Sequence, residues 1–245
     1  MAKQYISLQG KFYLSEIANG VAGAMRYIGN VPEFELAISA DQIEHQESHS
    51  GDRTTDFVLT KTTAVEFSGK LEEVDEENLK YILSGMQSNV ATKTVTDESL
   101  GTVVVGQEIK LGGYALTQVS FKAGSTVIDA SKYTLDAVFG TVVFNEAVAE
   151  PVTATYTTGA VKHTTIASDF DKEYELFFKG INTANGENMA VRLWRTKKSP
   201  ETKFPLIHEE LGQYDISGKA LSDTTKGTDP TLGLYGHVVA IPAAA

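Results

Sequence analysis

The sequence predicts a mainly β protein: one β domain built from both ends of the chain, with a second β module set into it. Three observations carry that expectation. Apolar and polar residues alternate with a period of two in the first and last thirds of the chain. A single segment has the start signals and periodicity of an α-helix. Between the flanks lies a stretch of short Val/Thr/Tyr-rich runs punctuated by turn pairs, a different texture from what surrounds it.

In chain order, Phe34, Leu36 and Ile38 alternate with Glu33, Glu35 and Ala37, as in a half-buried strand. A polar loop without proline follows: Glu44, His45, Gln46, Glu47, Ser48, His49, Ser50, Gly51, Asp52 and Arg53. Such a loop does not form core; it binds something or joins one subunit to the next. After it, Phe57, Leu59, Val65, Phe67 and Leu71 share one parity, and Thr54, Asp56, Thr60, Thr62, Glu66, Ser68 and Lys70 share the other. The run exceeds the usual strand of about 5–6 residues, so a bend or bulge is expected over 61–63.

The helix is expected over 76–84. Asp75 is a good N-cap, because its carboxylate can accept from free N–H groups of the first turn. Val74 and Leu79 stand at staple positions, and Glu76 and Glu77 suit the positive end of the helix dipole. Leu79, Ile82 and Leu83 form one apolar stripe, and Gly85 can end the helix in the left-handed region. Residues 87–100, rich in Ser, Thr and Asn, read as a polar linker. Over 101–160 short runs at 102–105, 115–121, 133–135, 141–144 and 152–156 suggest a small β-sandwich, with turns at Gly112-Gly113, Ala123-Gly124 and Phe139-Gly140. The first texture then returns. Tyr174, Leu176 and Phe178 alternate with charged residues. Met189, Val191 and Leu193 follow a turn at Asn185-Gly186, and strands are expected at 214–220 and 234–241.

Composition narrows the function. The chain has 245 residues and no cysteine, which removes disulfides and thiolate chemistry together. With 32 acids against 21 bases the formal charge is −11, the opposite of what gripping phosphates requires. No apolar run reads as a signal peptide or a membrane span, so a protein made and kept in the cytosol is expected. His45 and His49 stand four apart, but Gln46 breaks the HExxH order and the segment has no apolar helical face, so the metal reading is weak. Gly69-Lys70 lacks the upstream glycine of a phosphate loop, and there is no GxSxG elbow. His163, His208 and His237 are isolated. Trp194 reads as a buried or interfacial anchor before a stacking platform. No catalytic constellation, cofactor site or metal site is expected.

Several stretches carry a resemblance when taken together. They are Tyr27-Ile28-Gly29-Asn30-Val31, Glu33-Phe34-Glu35-Leu36, the loop with Glu47-Ser48-His49-Ser50-Gly51, and Leu71-Glu72-Glu73-Val74-Asp75-Glu76-Glu77-Asn78-Leu79. Phe178-Lys179-Gly180-Ile181-Asn182, Val191-Arg192-Leu193-Trp194-Arg195 and the run 214–223 complete the set. In order and spacing they resemble the major tail tube protein of long-tailed (siphovirus-like) bacteriophages. The resemblance covers roughly 1–90 and 161–245. The inserted stretch, with Tyr133-Thr134-Leu135-Asp136 and Gly140-Thr141-Val142-Val143-Phe144, is similar to the Ig-like modules that decorate phage tails and capsids.

The resemblance implies a tube domain at 1–95 and 161–245, made of two packed antiparallel sheets with one flanking helix, and an inserted Ig-like β domain at 101–160. It implies a structural virion protein, made in the host bacterial cytoplasm, whose hexameric rings stack into a tube. The tape-measure protein and the tail terminator and distal tail proteins would be its partners, and DNA would pass through the lumen without specific binding. The loop 44–53 would stack ring on ring, and Asp56, Thr60, Thr62, Glu66, Ser68 and Lys70 would face the lumen. The basic cluster Arg192, Arg195, Lys197, Lys198 and Lys203 has two open readings. One is a contact with Glu72, Glu73, Asp75, Glu76 and Glu77 of the next subunit. The other is a solvated strand edge, where exposed ion pairs contribute ~0–1 kcal/mol each. The rival functions are the inner tube subunit of a contractile or secretion machine and a β-sandwich adhesin or carbohydrate-binding module.

Overall fold

The structure, a computed structural model, describes residues 5–242. It contains, in order, β1 (Leu8–Ala18), β2 (Val21–Ala22), β3 (Arg26–Tyr27), β4 (Glu33–Gln46), β5 (Thr55–Leu71) and the helix α1 (Glu76–Leu83). Then come β6 (Gln87–Val90), β7 (Lys93–Gly101), β8 (Glu108–Lys110), β9 (Thr117–Ala123), β10 (Thr126–Val127), β11 (Tyr133–Asp136), β12 (Thr141–Phe144), β13 (Val152–Thr158) and β14 (Val161–Thr164). The chain closes with β15 (Glu173–Asn182), β16 (Asn188–Lys198), β17 (Tyr214–Ala220) and β18 (Gly236–Ile241). The fold is mainly β, with several antiparallel sheets and one α-helix among the described residues.

The chain divides into two compact units. One comprises the segments up to Met86 and from Thr165; the other is Gln87–Thr164. The inserted unit is therefore wider than the expected 101–160, and residues 87–95 belong to it. The supposed linker is β6 and most of β7, paired to β14 and β13. A strand with one wet face needs few apolar residues, and Val95 and Leu100 supply β7's contacts with the core. Register shifts opposite Ala154–Tyr156 place these two at positions of opposite sequence parity, which hides the alternation.

In the first unit nine strands form one continuous antiparallel sheet in the order β2-β1-β15-β16-β17-β5-β4, with β3 also on β1 and β18 also on β16. The expected two layers are thus halves of one sheet that curls until its ends face each other. Phe34 on β4 meets Phe12 on β1 with ring centroids 4.4 Å apart, and Phe12 meets Phe178 at 4.6 Å. Leu14, Leu71, Leu176, Leu193 and Ile216 fill the space between. Each such side chain, fully buried, contributes about 1.5–3 kcal/mol.

The helix caps this core. Asp75 accepts from the Asn78 N–H at 2.7 Å, as its N-cap role requires. The buried face is Asn78, Tyr81 and Ile82, one step away from the expected Leu79 stripe, and Val74 is exposed. Asn78 is buried because its amide works as a clamp, donating to the Ile28 and Glu73 carbonyls at 2.8 Å each. Ser84, in place of Gly85, adopts the left-handed conformation at the C-terminus (φ 47°).

The second unit packs a four-stranded sheet, β10-β9-β13-β7, against the three strands β11-β12-β8 over a core containing Phe121, Val142, Phe144, Val152 and Tyr156. Tyr156 is buried, and its hydroxyl accepts from the Gly112 N–H at 2.9 Å and donates to Glu98 at 2.7 Å. Burial first, then the Glu98 carboxylate, pushes that phenol up to about 12. Tyr156→Phe keeps the ring but leaves the Gly112 N–H only its longer bond to Glu98 at 3.4 Å and takes the phenol donor from that carboxylate. A loss of about 1–2 kcal/mol is expected in denaturant titration, with an unchanged m-value.

Candidate assembly surface

The β4–β5 hairpin dominates the surface of the first unit. Its pairing runs from Glu33↔Lys70 out to Gln46↔Thr55, far past the point where the other sheet half covers it. From Ile38 to Thr63 neither strand has a buried residue. Ile38 keeps 81% of its surface and Phe57 59%, and Ile43, Val58 and Leu59 are also exposed. The hairpin is thus a two-stranded arm with apolar side chains on it. Beyond β4 no further strand pairs among the described residues.

The arm changes the reading of the lumen face. Asp41 pairs with Thr62 and Gln42 with Thr60, so Lys61 is a bulge, within the expected 61–63. An extra residue resets the period-two parity. Thr62, Glu66, Ser68 and Lys70 share a face with Glu33 and Asp41, as the Lys70–Glu33 pair (3.0 Å) and the Thr62–Asp41 bond (2.9 Å) show. Thr60 falls on the opposite face, with Val65 and Phe67. Phe57 and Leu59 fall on the polar face, opposite His45 and Ile43. Asp56 sits at a second irregularity, 2.6 Å from His45 Nδ1. The six residues expected on one face therefore do not share it.

The loop also differs from expectation. Glu44, His45 and Gln46 are strand; the loop proper is 47–54, closed by the Glu47 N–H on the Thr54 carbonyl at 2.9 Å. Glu47 frames it. Its carboxylate accepts from the Ser50 hydroxyl, from the N–H groups of Ser50 (3.0 Å) and His49 (2.9 Å), and lies 2.7 Å from His49 Nδ1. Those donors, the Ser50 hydroxyl first, hold the carboxyl below its ordinary range. Asp52 accepts nothing there; its N–H donates to the Ser50 hydroxyl oxygen. The loop thus has its own hydrogen-bonded frame within the chain. Gly51 and Arg53 supply the left-handed turns (φ 91° and 47°). His45 and His49 take different carboxylates, and no group of three or more His, Asp or Glu among the described residues could hold a metal.

Four of the five cations of the basic cluster, Arg192, Arg195, Lys197 and Lys198, find partners inside the chain. Arg192 pairs with Glu175 at 2.7 Å, Arg195 with Glu173 through two bonds at 2.8 and 2.9 Å, and Lys197 with Asp171 at 3.1 Å. Lys198 donates to the Tyr81 and Ile82 carbonyls and to Ser84 Oγ, at the end of α1. The acidic run is engaged as well. Glu72 accepts from Asn30 and Gln213, Glu73 from the Asn30 N–H, Asp75 caps the helix and meets Arg26, and Glu77 pairs with Lys80. Glu76 is likewise not without a partner. Trp194 is buried and donates to the Gly233 carbonyl at 3.1 Å, an anchor within the fold.

Sequence reasoning missed two features. Lys11 and Lys179 stand opposite each other on β1 and β15, both exposed and with no carboxylate at ion-pair distance among the described residues; they lie over Tyr27, Tyr13 and Phe177 instead. Beside them, an open seam of about 950 Å³ runs between Leu8, Gln9, Gly10 and Lys11 on one side and residues 30–36 on the other. Phe12, Phe34, Leu176, Phe178 and Val191 line its floor. Neither feature has a local pattern, since each joins segments far apart in sequence.

These surfaces define an antiparallel β protein whose distinctive parts are strand edges and an exposed arm. The chain belongs to the family described as protein of unknown function UCP028589, whose model matches residues 5–239. No curated protein matches it.

Proposed function

We propose that this chain is a structural subunit that assembles with copies of itself into stacked hexameric rings, forming the tail tube of a long-tailed phage. The observation that carries the reading is the β4–β5 arm, which presents Ile38 and Ile43 on β4, whose outer edge is unpaired among the described residues, and Phe57 and Leu59 on β5 to water. An open edge with apolar residues is a template for pairing with another chain. In a closed assembly the edge disappears and those side chains are covered. The ordered set of segments that resembles tail tube proteins supports that assembly over other closed ones. The acidic balance suits a conduit through which DNA slides without being held, and the inserted unit would decorate the outside. No helix among the described residues is long and apolar enough to cross a membrane.

Negative-stain microscopy of the purified protein over rising concentration tests this. Rings or tubes with a central hole are expected. A species that stays monomeric by sedimentation at the highest concentration sinks the reading.

A further inference from the structure

We propose that the seam between β1 and β4 receives the β4–β5 arm of a second copy, with the acidic strand of the arm toward the Lys11–Lys179 pair. The inference rests on the self-assembly reading above and names the receiving surface.

The seam dictates what can fill it. Its walls are strand edges. On β1 the positions Leu8, Gln9, Gly10 and Lys11 pair with β15 on one side only, and β4 has no strand on its outer side. An occupant must therefore bring backbone donors and acceptors. The floor is apolar, so it must bring apolar side chains. The β1 wall carries Lys11, with Lys179 beside it, in a chain where Arg192, Arg195, Lys197, Lys70 and Lys219 all have carboxylate partners. Lys11 and Lys179 are direct cross-strand neighbours, two like charges that repel each other at an open edge, and a carboxylate brought to that edge relieves the repulsion. The opposite wall holds Glu33, already paired with Lys70, and Glu35.

The arm supplies all three requirements. Its outer edge is free; on β4, exposed Ile38 lies on one face and can meet the floor on the Phe12 face of β1, while Asp41, with no lysine or arginine partner among the described residues, lies on the other and can meet the lysines on the Lys11 face. The acidic start of α1 does not fit: a helix offers no edge, and Glu72, Glu73, Asp75 and Glu77 are engaged. A sugar does not fit the neighbouring aromatic row, because the two ammonium groups lie over its rings. Because β4 is itself a wall of the seam in its own chain, the occupant comes from another copy. Seam and arm are different surfaces, so the contact is head-to-tail and propagates.

Charge reversal tests it on the full chain. Lys11→Glu with Lys179→Glu, or Asp41→Lys, is expected to weaken association at least tenfold by sedimentation, with the circular dichroism and melting curve of the native protein. Combining all three substitutions restores association to within a few-fold of native. The proposal is overturned if the Lys11/Lys179 variant assembles like the native chain, or if the threefold variant is no better than the lysine double or Asp41→Lys alone. Rings that persist in the Lys11/Lys179 variant remove the seam contact and leave the tube reading standing. A native chain that never assembles removes both.

Discussion

Phe57→Asp combined with Leu59→Asp yields a folded subunit that no longer assembles. Both residues sit on the arm, opposite His45 and Ile43, and both are about half exposed or more in the single chain. Substitutions at such positions change stability by roughly 0.5 kcal/mol or less. In an assembly that covers the arm, each side chain loses about 1.5–3 kcal/mol of burial, and each new carboxylate must also be desolvated. A combined penalty of about 4 kcal/mol per contact is near three orders of magnitude in the association constant. Every subunit of a ring or tube repeats the contact. Sedimentation and negative staining should therefore show monomers where the native protein gives rings, while the thermal midpoints agree within a degree or two. Normal tubes from the double variant would mean that the arm is not buried on assembly.

How much of this was legible in the sequence depends on where the ladders are regular. Tyr214–Ala220 was located to the residue, because nothing interrupts its alternation. Asp75 was legible as an N-cap because the cap is chemistry of a single turn. The misreadings cluster at bulges. Lys61 divides β5 into two strands of opposite parity, so a face assigned by counting in twos is right for Thr62, Glu66, Ser68 and Lys70 as a group and wrong for Thr60. A shift between Tyr174 and Leu176 against β16 likewise leaves both Leu193 and Trp194 buried. The Asn78 clamp, the lysine pair and the seam were not legible at all, because each depends on which distant strands become neighbours. The basic cluster shows the same limit: the sequence displays four cations in seven residues and hides the carboxylates of β15 and its approach that answer three of them and the helix-end carbonyls that answer Lys198.

Lys198 is the cation of that cluster with the largest structural consequence. A helix ends with carbonyls that no later N–H can reach, and α1 ends against the sheet, where water reaches them poorly. The Lys198 ammonium takes up the Tyr81 and Ile82 carbonyls and the Ser84 hydroxyl, and lies 5.7 Å from the centre of the Tyr81 ring. Positive charge there also suits the negative end of the helix dipole. Lys198→Met preserves the aliphatic stem and removes the donors. A loss of about 2–3 kcal/mol is expected, read as a fall of roughly 5–10 °C in the melting of the first unit. The pH profile separates this role from simple packing. Burial pulls the amine down from its ordinary 10.5 to about 8 in the fold. The unfolded chain therefore holds more protons between those values, and stability must rise with pH across that window. Below pH 8 the buried ammonium carries its full desolvation cost; above it the neutral amine still donates two hydrogens. The native protein should gain stability between pH 7.5 and about 9.5, and the Lys198→Met protein should lack that gain. The comparison stops there because burial raises the phenols of Tyr81 and Tyr174, which act in the opposite direction at higher pH. Identical pH slopes in the two proteins would show that Lys198 is not the group whose proton is linked to folding.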